Sequence, residues 1–542
     1  MRSRTYRLPE GENTVFVDPP ADELPGVVER NVRLLCSADF ALAGVPFAEA
    51  RARAREDCLA RGAEYCSLLG VAAPRRFSDV IIACGHQPGF HHPGVWLKNH
   101  VVHRLASELD GAGVNLVIDT DAPGNIDFRV PRVLDGKARV EHFRCLQIHS
   151  AIALEEQRVD GSPCVAGLAD NVLPLLPDNS CRRHAGRYLQ FLNQAAHSGS
   201  AVEHVFTFAR RRIEEEAGVH NLELPYSAAC GFDSFHLLVL EIIRRSEEFA
   251  AIYNNCLAEY RRKFKVRGKA NPIPDLRIDG DTIELPLWIW RAGQARRPMV
   301  IRRRAGGRVD VLLRGKAVGE FSHAELADPA AGIDAFARLA ANGIRIRSKA
   351  LVTTAFIRLF LCDLFVHGIG GANYDLITDE IIWAFFGTKA PAYAVATANV
   401  SLPVERLPVS VDGVRRLKYE ANRMQQAPAN YAPELLPGDD DVPPLLAERD
   451  LLLRRQLATT RRDAKRAIFA ETKQIDASLR GKLERPINRK RAELLKAADA
   501  LRFNEIIAGR EYPFCIYPEE LLREVYGEEV KKIRREEEKK RG

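Results

Sequence analysis

The chain has 542 residues, 46% hydrophobic and 28% charged, a composition that excludes whole-chain disorder, fibrous repeats and a single small module and allows roughly three folding units. Its 11 cysteines are odd in number, scattered and without a CxxC pair, so neither a zinc ribbon nor a disulfide framework is expected. Lys and Arg exceed Asp and Glu by 79 to 72, and Ala447 to Glu505 carries the surplus with 16 basic against 9 acidic residues, which weighs against a nucleic-acid role for the whole chain.

The start, MRSRTYRLPEGENTVF, has no apolar signal core, and no stretch offers 18 uncharged apolar residues; a cytoplasmic protein without membrane contact is expected. After an irregular opening, Val27 to Leu69 reads as helical with a break at Gly44-Val45-Pro46, giving an N-terminal helical segment over 1–70. Asp79 to Cys84 is a short apolar run before Gly85, Val95 to Leu109 has helical spacing, and Val114 to Ile118 is a second apolar run. Strand, turn, helix and strand make a βαβ unit, so 71–180 reads as the first part of a parallel-sheet core.

Ser180 to about Lys265 reads as mostly helical, followed by strands at Thr282 to Trp290 and Val309 to Leu313, a helical and small β insertion over 181–320. The α/β alternation resumes over 321–431: Ile344 to Ile346, a helix from Val352 to Phe365, a loop from His367 to Gly371, a helix from Asp375 to Phe386 and a strand from Tyr393 to Thr397. Pro433 to Pro444 is rich in Pro, Asp and Gly. Beyond it Leu446, Leu453, Leu457, Ala464, Ile468, Ile475, Leu479 and Leu483 recur near coiled-coil spacing, predicting a helix of about 50 Å that returns after Gly481 and Pro486, a coiled-coil hairpin over 445–505. The remainder, 506–542, reads as a docking segment with a charged tail. The fold expected is α/β, with helical insertions around the sheet.

The densest chemical signal is GHQPGFHHPGVWLKNHVVH, Gly85 to His103, which holds five of the 14 histidines. Gly85, Gly89 and Gly94 allow close backbone approach to a ligand, the helix starting near Val95 offers free N–H groups, and His86, His91, His92 and Lys98 add donors or charge, with Gln87 beside them. A phosphate or carboxylate fits that description. A tight turn with one or two core histidines is the plainer reading, and His100 and His103 read as ordinary helix residues. The second signal, DTDAPGNID from Asp119 to Asp127, follows an apolar run, where Asp119 and Asp121 can hold Mg²⁺ or an amine or serve only as turn residues.

The third is FVHGIGGANYD, Phe365 to Asp375. Gly368, Gly370 and Gly371 ahead of a helix make an anion- or nucleotide-binding nest, with His367, Asn373 and Tyr374 as polar contacts. The tryptophans of ELPLWIW read as core or interface, and RIRSKAL at Arg345 to Leu351 echoes the lysine-bearing loops of nucleotidyl transferases only superficially.

The order of GHQPGF after an early strand, an acidic turn after the next, HGIGGANYD after a late helix, a long helical excursion and an aromatic closing segment resembles the bacillithiol biosynthesis cysteine-adding enzymes. There a GQQxGLFTGP-type loop stands at the first position and a GGPGEIAY-type loop where this chain has Gly368 to Tyr374. His86 replaces a glutamine-type position, FHHPG replaces LFTGP, Gly371 stands where that loop carries Glu, and DTDAPGN lacks the family's histidine, so the chain resembles a divergent member. The resemblance implies a Rossmann-like core, a coiled coil used in homodimers and a ligase joining cysteine or another amino acid to an amine with nucleotide-dependent activation. ATP with Mg²⁺ is one candidate cofactor.

The expectation is an enzyme that joins small polar metabolites, with His86, His91, His92 and His367 stabilising developing charge and the two glycine-rich segments holding anionic groups. One alternative is a metal-dependent hydrolase using His86, His91 or His92 with Asp119 or Asp121, although the spacing matches no standard zinc motif. Another is a nucleic-acid-binding or scaffold protein built on the basic hairpin, without the aromatic interleaving such binding uses.

Overall fold

Ile81, Ile82, Ala83 and Cys84 are each at most 1% exposed, because a continuous apolar run suits a parallel strand covered on both faces. They form the second strand of a six-stranded sheet: β1 Thr14–Asp18, β2 Ile81–His86, β3 Ala112–Val117, β4 Leu222–Pro225, β5 Leu364–His367 and β6 Ala394–Asn399. The computed structural model describes residues 6–535 apart from 75, 77, 123, 147, 160–162, 198, 269, 270 and 272. The first five residues and residues 536–542, the greater part of the expected charged tail KKIRREEEKKRG, lie outside the described residues.

Across the sheet the order is β1-β6-β5-β2-β3-β4. β1 runs antiparallel to β6, and every other neighbouring pair is parallel. The chain builds outward from β2 through β3 to β4, then returns to place β5 on the other side of β2, so the direction of winding reverses between β2 and β5.

Helices cover both faces. Helix α1, Phe47–Leu68, shares a core with Ile81, Ala83, Val114 and Phe365, to which Leu376 and Ile377 of a later helix also belong. On the opposite face α2, Pro93–Glu108, lies over Cys84, whose Sγ is 3.2 Å from Asn99 Oδ1. A buried charge network fixes α2 there: Arg210 bonds Glu214 at 2.7 Å and Glu223 at 2.5 Å, Glu214 accepts from Trp96 Nε1 and Asn99 Nδ2, and Glu223 accepts from Asn115 Nδ2. With partners on every side, these buried ions are satisfied and specify one position for the helix.

The middle of the chain is helical except for β4, which joins the central sheet. A second sheet is antiparallel, in the order Lys316–Phe321, Val309–Leu313, Arg297–Arg303, Thr282–Arg291 and Ile344–Ser348, with Ile278–Asp279 beside Thr282–Arg291. Ile344 to Ile346 therefore belongs to the insertion, not to the parallel core. The helix expected to reach Phe365 ends at Leu361 with a π-helical turn, and β5 follows. Of the glycines expected to form a loop after His367, Gly368 is the N-cap and Gly370 and Gly371 lie in the first turn of α3, Ile369–Phe386, which Gly387 ends in a left-handed conformation at φ 69°.

A second compact unit comprises residues 131–140 and 403–509. It contains α4 Val411–Gln426, α5 Val442–Ala458, α6 Arg462–Lys482 and α7 Glu484–Ile507. Where the leucine spacing anticipates one long helix, residues 459–461 separate α5 from α6, and Arg449 of α5 bonds Asp476 of α6 at 2.7 Å. The returning helix α7 runs beside α4, with Lys490 reaching Glu420 at 3.4 Å. Among the described residues no helix is long and apolar enough to cross a membrane.

Candidate functional site

The crossovers from β2 and β5 leave the sheet on opposite faces, which opens a crevice beyond the carboxyl ends of these adjacent strands. A cavity of about 770 Å³ occupies it. His86, Gln87, His92, Gly94 and Lys98 line it from the β2–α2 segment, and His367, Gly368, Gly370, Gly371 and Tyr374 line it from β5 and α3. Two glycine-bearing segments 270 residues apart thus meet at one site, with Asp121 beyond β3 and Thr397 of β6 at its edges.

His367 closes β5 and is 4% exposed. Its Nε2 donates to Asp375 Oδ2 at 2.9 Å, and Asp375 also takes Arg358 Nη1 at 2.6 Å and the Thr354 hydroxyl at 2.5 Å. Burial opposes ionisation of Asp375, but Arg358 and His367 overcome it and hold its pKa well below the usual carboxylate range. Burial outweighs Asp375 in turn at His367 and lowers the imidazole pKa. The ring is therefore neutral at pH 7, with the proton on Nε2 and a lone pair on Nδ1. A Cβ on Gly371 would stand 2.8 Å from that Nδ1; glycine keeps the nitrogen accessible.

Lys98 is 3% exposed, and its Nζ donates to the Gly85 carbonyl at 2.7 Å. His86 is exposed where it lines the cavity, and desolvation there together with the nearby Lys98 pushes its pKa down to about 4. His92 caps α2: its Nδ1 accepts from Gly94 N–H at 3.1 Å, while Pro93 opens the helix. Gly94 has a structural reason to be glycine, since a Cβ there would lie 2.5 Å from Thr397 Oγ1 and 2.7 Å from the Ala398 carbonyl. Gln87 donates to Asp121, which is held in turn by Arg296. Burial raises the Tyr374 pKa to about 12, so its phenol stays protonated.

Four of the expected residues stand outside the lining. His91 is buried, with Nε2 3.0 Å from the Gln87 carbonyl and its ring edge-on to His86. Asp119 accepts from the Ser227 amide at 2.8 Å and the Ser227 hydroxyl at 2.5 Å, and burial with Glu155 nearby raises its pKa to about 7. Asn373 holds the backbone of Tyr6 through both ends of its amide. Gly89 also lies away from the cavity. Among the described residues no three His, Cys, Asp or Glu side chains stand together as a metal-binding group.

The cavity also takes Tyr253, Trp288, Arg296 and Lys349 from the insertion and Arg510 from the chain's last segment. Arg296 and Lys349 lie 4.7 and 4.8 Å from the Trp288 ring, and Lys349 bonds Glu284 at 2.8 Å. The tryptophan of ELPLWIW and the lysine of RIRSKAL were both visible signals, but neither carries a glycine turn or a histidine to mark it. Nothing local distinguishes Arg296 and Arg510. No model of a known protein family matches the chain, and no curated protein matches it.

Proposed function

We propose that the chain is a ligase or transferase that joins small polar metabolites, an amino acid to an amine, at this cavity in a Rossmann-like core. One relationship carries the reading. A neutral imidazole backed by a carboxylate presents Nδ1 beside the open amides of α3, so His367 can accept a proton from an amine as the C–N bond forms, while Lys98 and the amides stabilise the oxygen that gains charge. The neutral His86 and the protonated Tyr374 supply further hydrogen-bonding groups on the same wall. His91 and Asp119, bound to local backbone and to Ser227, favour this reading over the metal-dependent hydrolase.

The resemblance to the cysteine-adding enzymes supports the acyl-to-amine reaction class and a homodimer formed through the helical unit. On the resemblance alone, ATP with Mg²⁺ is the activating cofactor, supplying the leaving group on the acid. The test is incubation of the purified protein with ATP, Mg²⁺, amino acids and amino-sugar acceptors, with mass spectrometry for a condensed product. Product formation that falls about 100-fold or more in His367→Gln at unchanged substrate binding is expected. Full activity in that variant, or stoichiometric zinc in the native protein with hydrolysis alone, overturns the reading.

A further inference from the structure

The charges on the cavity wall are unevenly partnered. Arg296 faces Asp121 and Lys349 faces Glu284, so both are neutralised within the protein. Among the described residues Lys98 faces no carboxylate: its ammonium is buried and donates to the Gly85 carbonyl at 2.7 Å. Burying a cation without a counter-ion is costly, and Lys98 is among the residues that line the cavity.

Arg510 repeats the pattern on the same wall. Its Nη2 donates to Thr397 Oγ1 at 3.3 Å, but Nε and Nη1 are buried with no hydrogen-bond acceptor among the described residues. The neighbouring Glu511 carboxylate stands 3.5 Å from Nε and is 61% exposed, so water screens most of its effect. Burial, then Arg510, His86 and Lys98, push the His92 pKa down to about 3, and all four residues line the cavity. The first-turn amides of Ile369, Gly370 and Gly371 add donors that no helical carbonyl satisfies, and a Cβ at Gly368 or Gly370 would meet nothing within 4 Å.

Two free N–H groups on Lys98, three on the unpartnered nitrogens of Arg510 and three amides exceed what the two oxygens of a carboxylate can accept, whereas a terminal phosphoryl group offers three oxygens and up to two negative charges. The cavity is also lined by Tyr253, Ile273, Leu276 and Trp288, which suit an organic body. We infer that the wall formed by Lys98, Arg510 and the first turn of α3 holds the phosphoryl end of a phosphorylated metabolite, its organic part lying toward Trp288. This rests on the proposed reading of the cavity as the substrate site and narrows the ligand from any anion to a phosphorylated one.

Titration calorimetry and thermal shift at constant ionic strength, with inorganic pyrophosphate, ADP and glucose 6-phosphate as probes and malate and acetate as controls, test it without turnover. At least one phosphorylated probe is expected to bind at least tenfold more tightly than either carboxylate. ADP stronger than the sugar phosphate marks a nucleotide, and the reverse marks a phosphorylated substrate. Gly370→Ala, which has space for its methyl, should keep the fold and weaken that probe at least tenfold, as should Arg510→Met. Lys98→Met should lose the probe while the free protein melts no lower than wild type, because an uncompensated buried charge has gone.

Malate binding as tightly as the phosphates overturns the phosphoryl assignment and leaves the proposed condensation standing. Phosphate binding unchanged in both Gly370→Ala and Arg510→Met overturns the location. Binding of no anion at all overturns this inference and the anion-binding part of the proposed function together.

Discussion

Asp375 Oδ2 takes two buried donors at once, His367 Nε2 at 2.9 Å and Arg358 Nη1 at 2.6 Å. The guanidinium supplies the counter-charge, so the imidazole can remain neutral beside a carboxylate that would otherwise draw a proton onto it. This separates two roles in one network. Asp375 and Arg358 are bound to each other in the interior, and only His367 reaches the cavity.

Substitutions should therefore diverge. Asp375→Asn leaves Arg358 buried with only Asp379 as a carboxylate partner at 2.6 Å, and a loss of about 3 kcal/mol or more is expected in chemical denaturation. His367→Gln removes no counter-ion and should change the melting temperature by about 2 °C or less while abolishing product formation. Equal destabilisation by the two would place His367 among the structural residues.

The glycines divide in the same way. Gly94→Ala forces a methyl against Thr397 and the Ala398 carbonyl and should destabilise by about 2 kcal/mol or more through displacement of α2 from β6. Gly368→Ala meets open space and should fold normally, with any defect confined to ligand binding. Comparing urea midpoints of the two variants decides between packing and binding at each position.

The glycine-rich segments and histidines of the site were legible because they cluster locally, and the strands around them because apolar runs end at glycine. The strand that carries His367 was not. LFLCDLF is apolar on both sides of Asp363, so periodicity cannot tell where a helix stops and a buried strand begins. What ends the helix is tertiary: Asp363 binds Arg51 at 2.7 Å, Arg55 at 3.1 Å and the Ile81 amide at 2.8 Å, partners some 300 residues away. The first turn of α3 was hidden by its glycines, poor helix formers whose use here is to leave amides and His367 uncovered. Lys349 and Trp288 reach the site only because the second sheet folds beside it.

Glu203 provides a pH test independent of the cavity. Burial and then Asp119 raise its pKa to about 8, with Arg158, Glu155 and Tyr65 also close. A carboxyl whose folded pKa lies above its unfolded value contributes stability that is complete below about pH 4.5 and is lost as pH rises through about 8. Glu203→Gln, which stays uncharged, should match wild type near pH 4 and melt about 2 °C or more higher at pH 8.5. The buried Asp119, raised to about 7 for the same first reason, should leave a residual slope in the variant. Identical pH profiles for variant and wild type would show that Glu203 ionises freely in the fold.

In the helical unit the question is which leucines are available to a second copy. Ile475, Leu479 and Leu483 belong to the unit's own core with Met424, Val442 and Leu452, so the seam that suggested a coiled coil is largely used internally. Leu479→Glu should unfold the unit, costing about 3 kcal/mol or more for a buried unpaired carboxylate, and circular dichroism should show the helical loss. Leu457 is different: it is 87% exposed near the end of α5, and Phe469 on α6 is 53% exposed. Leu457→Glu with Phe469→Glu should retain wild-type helicity, since neither side chain supports the core. If the helical unit forms the proposed homodimer through this exposed surface, sedimentation should find wild type dimeric and the double variant monomeric. A wild-type monomer at tens of micromolar, or a double variant that stays dimeric, removes this surface as the dimer contact and leaves the basic residues of α5 to α7 without a subunit partner.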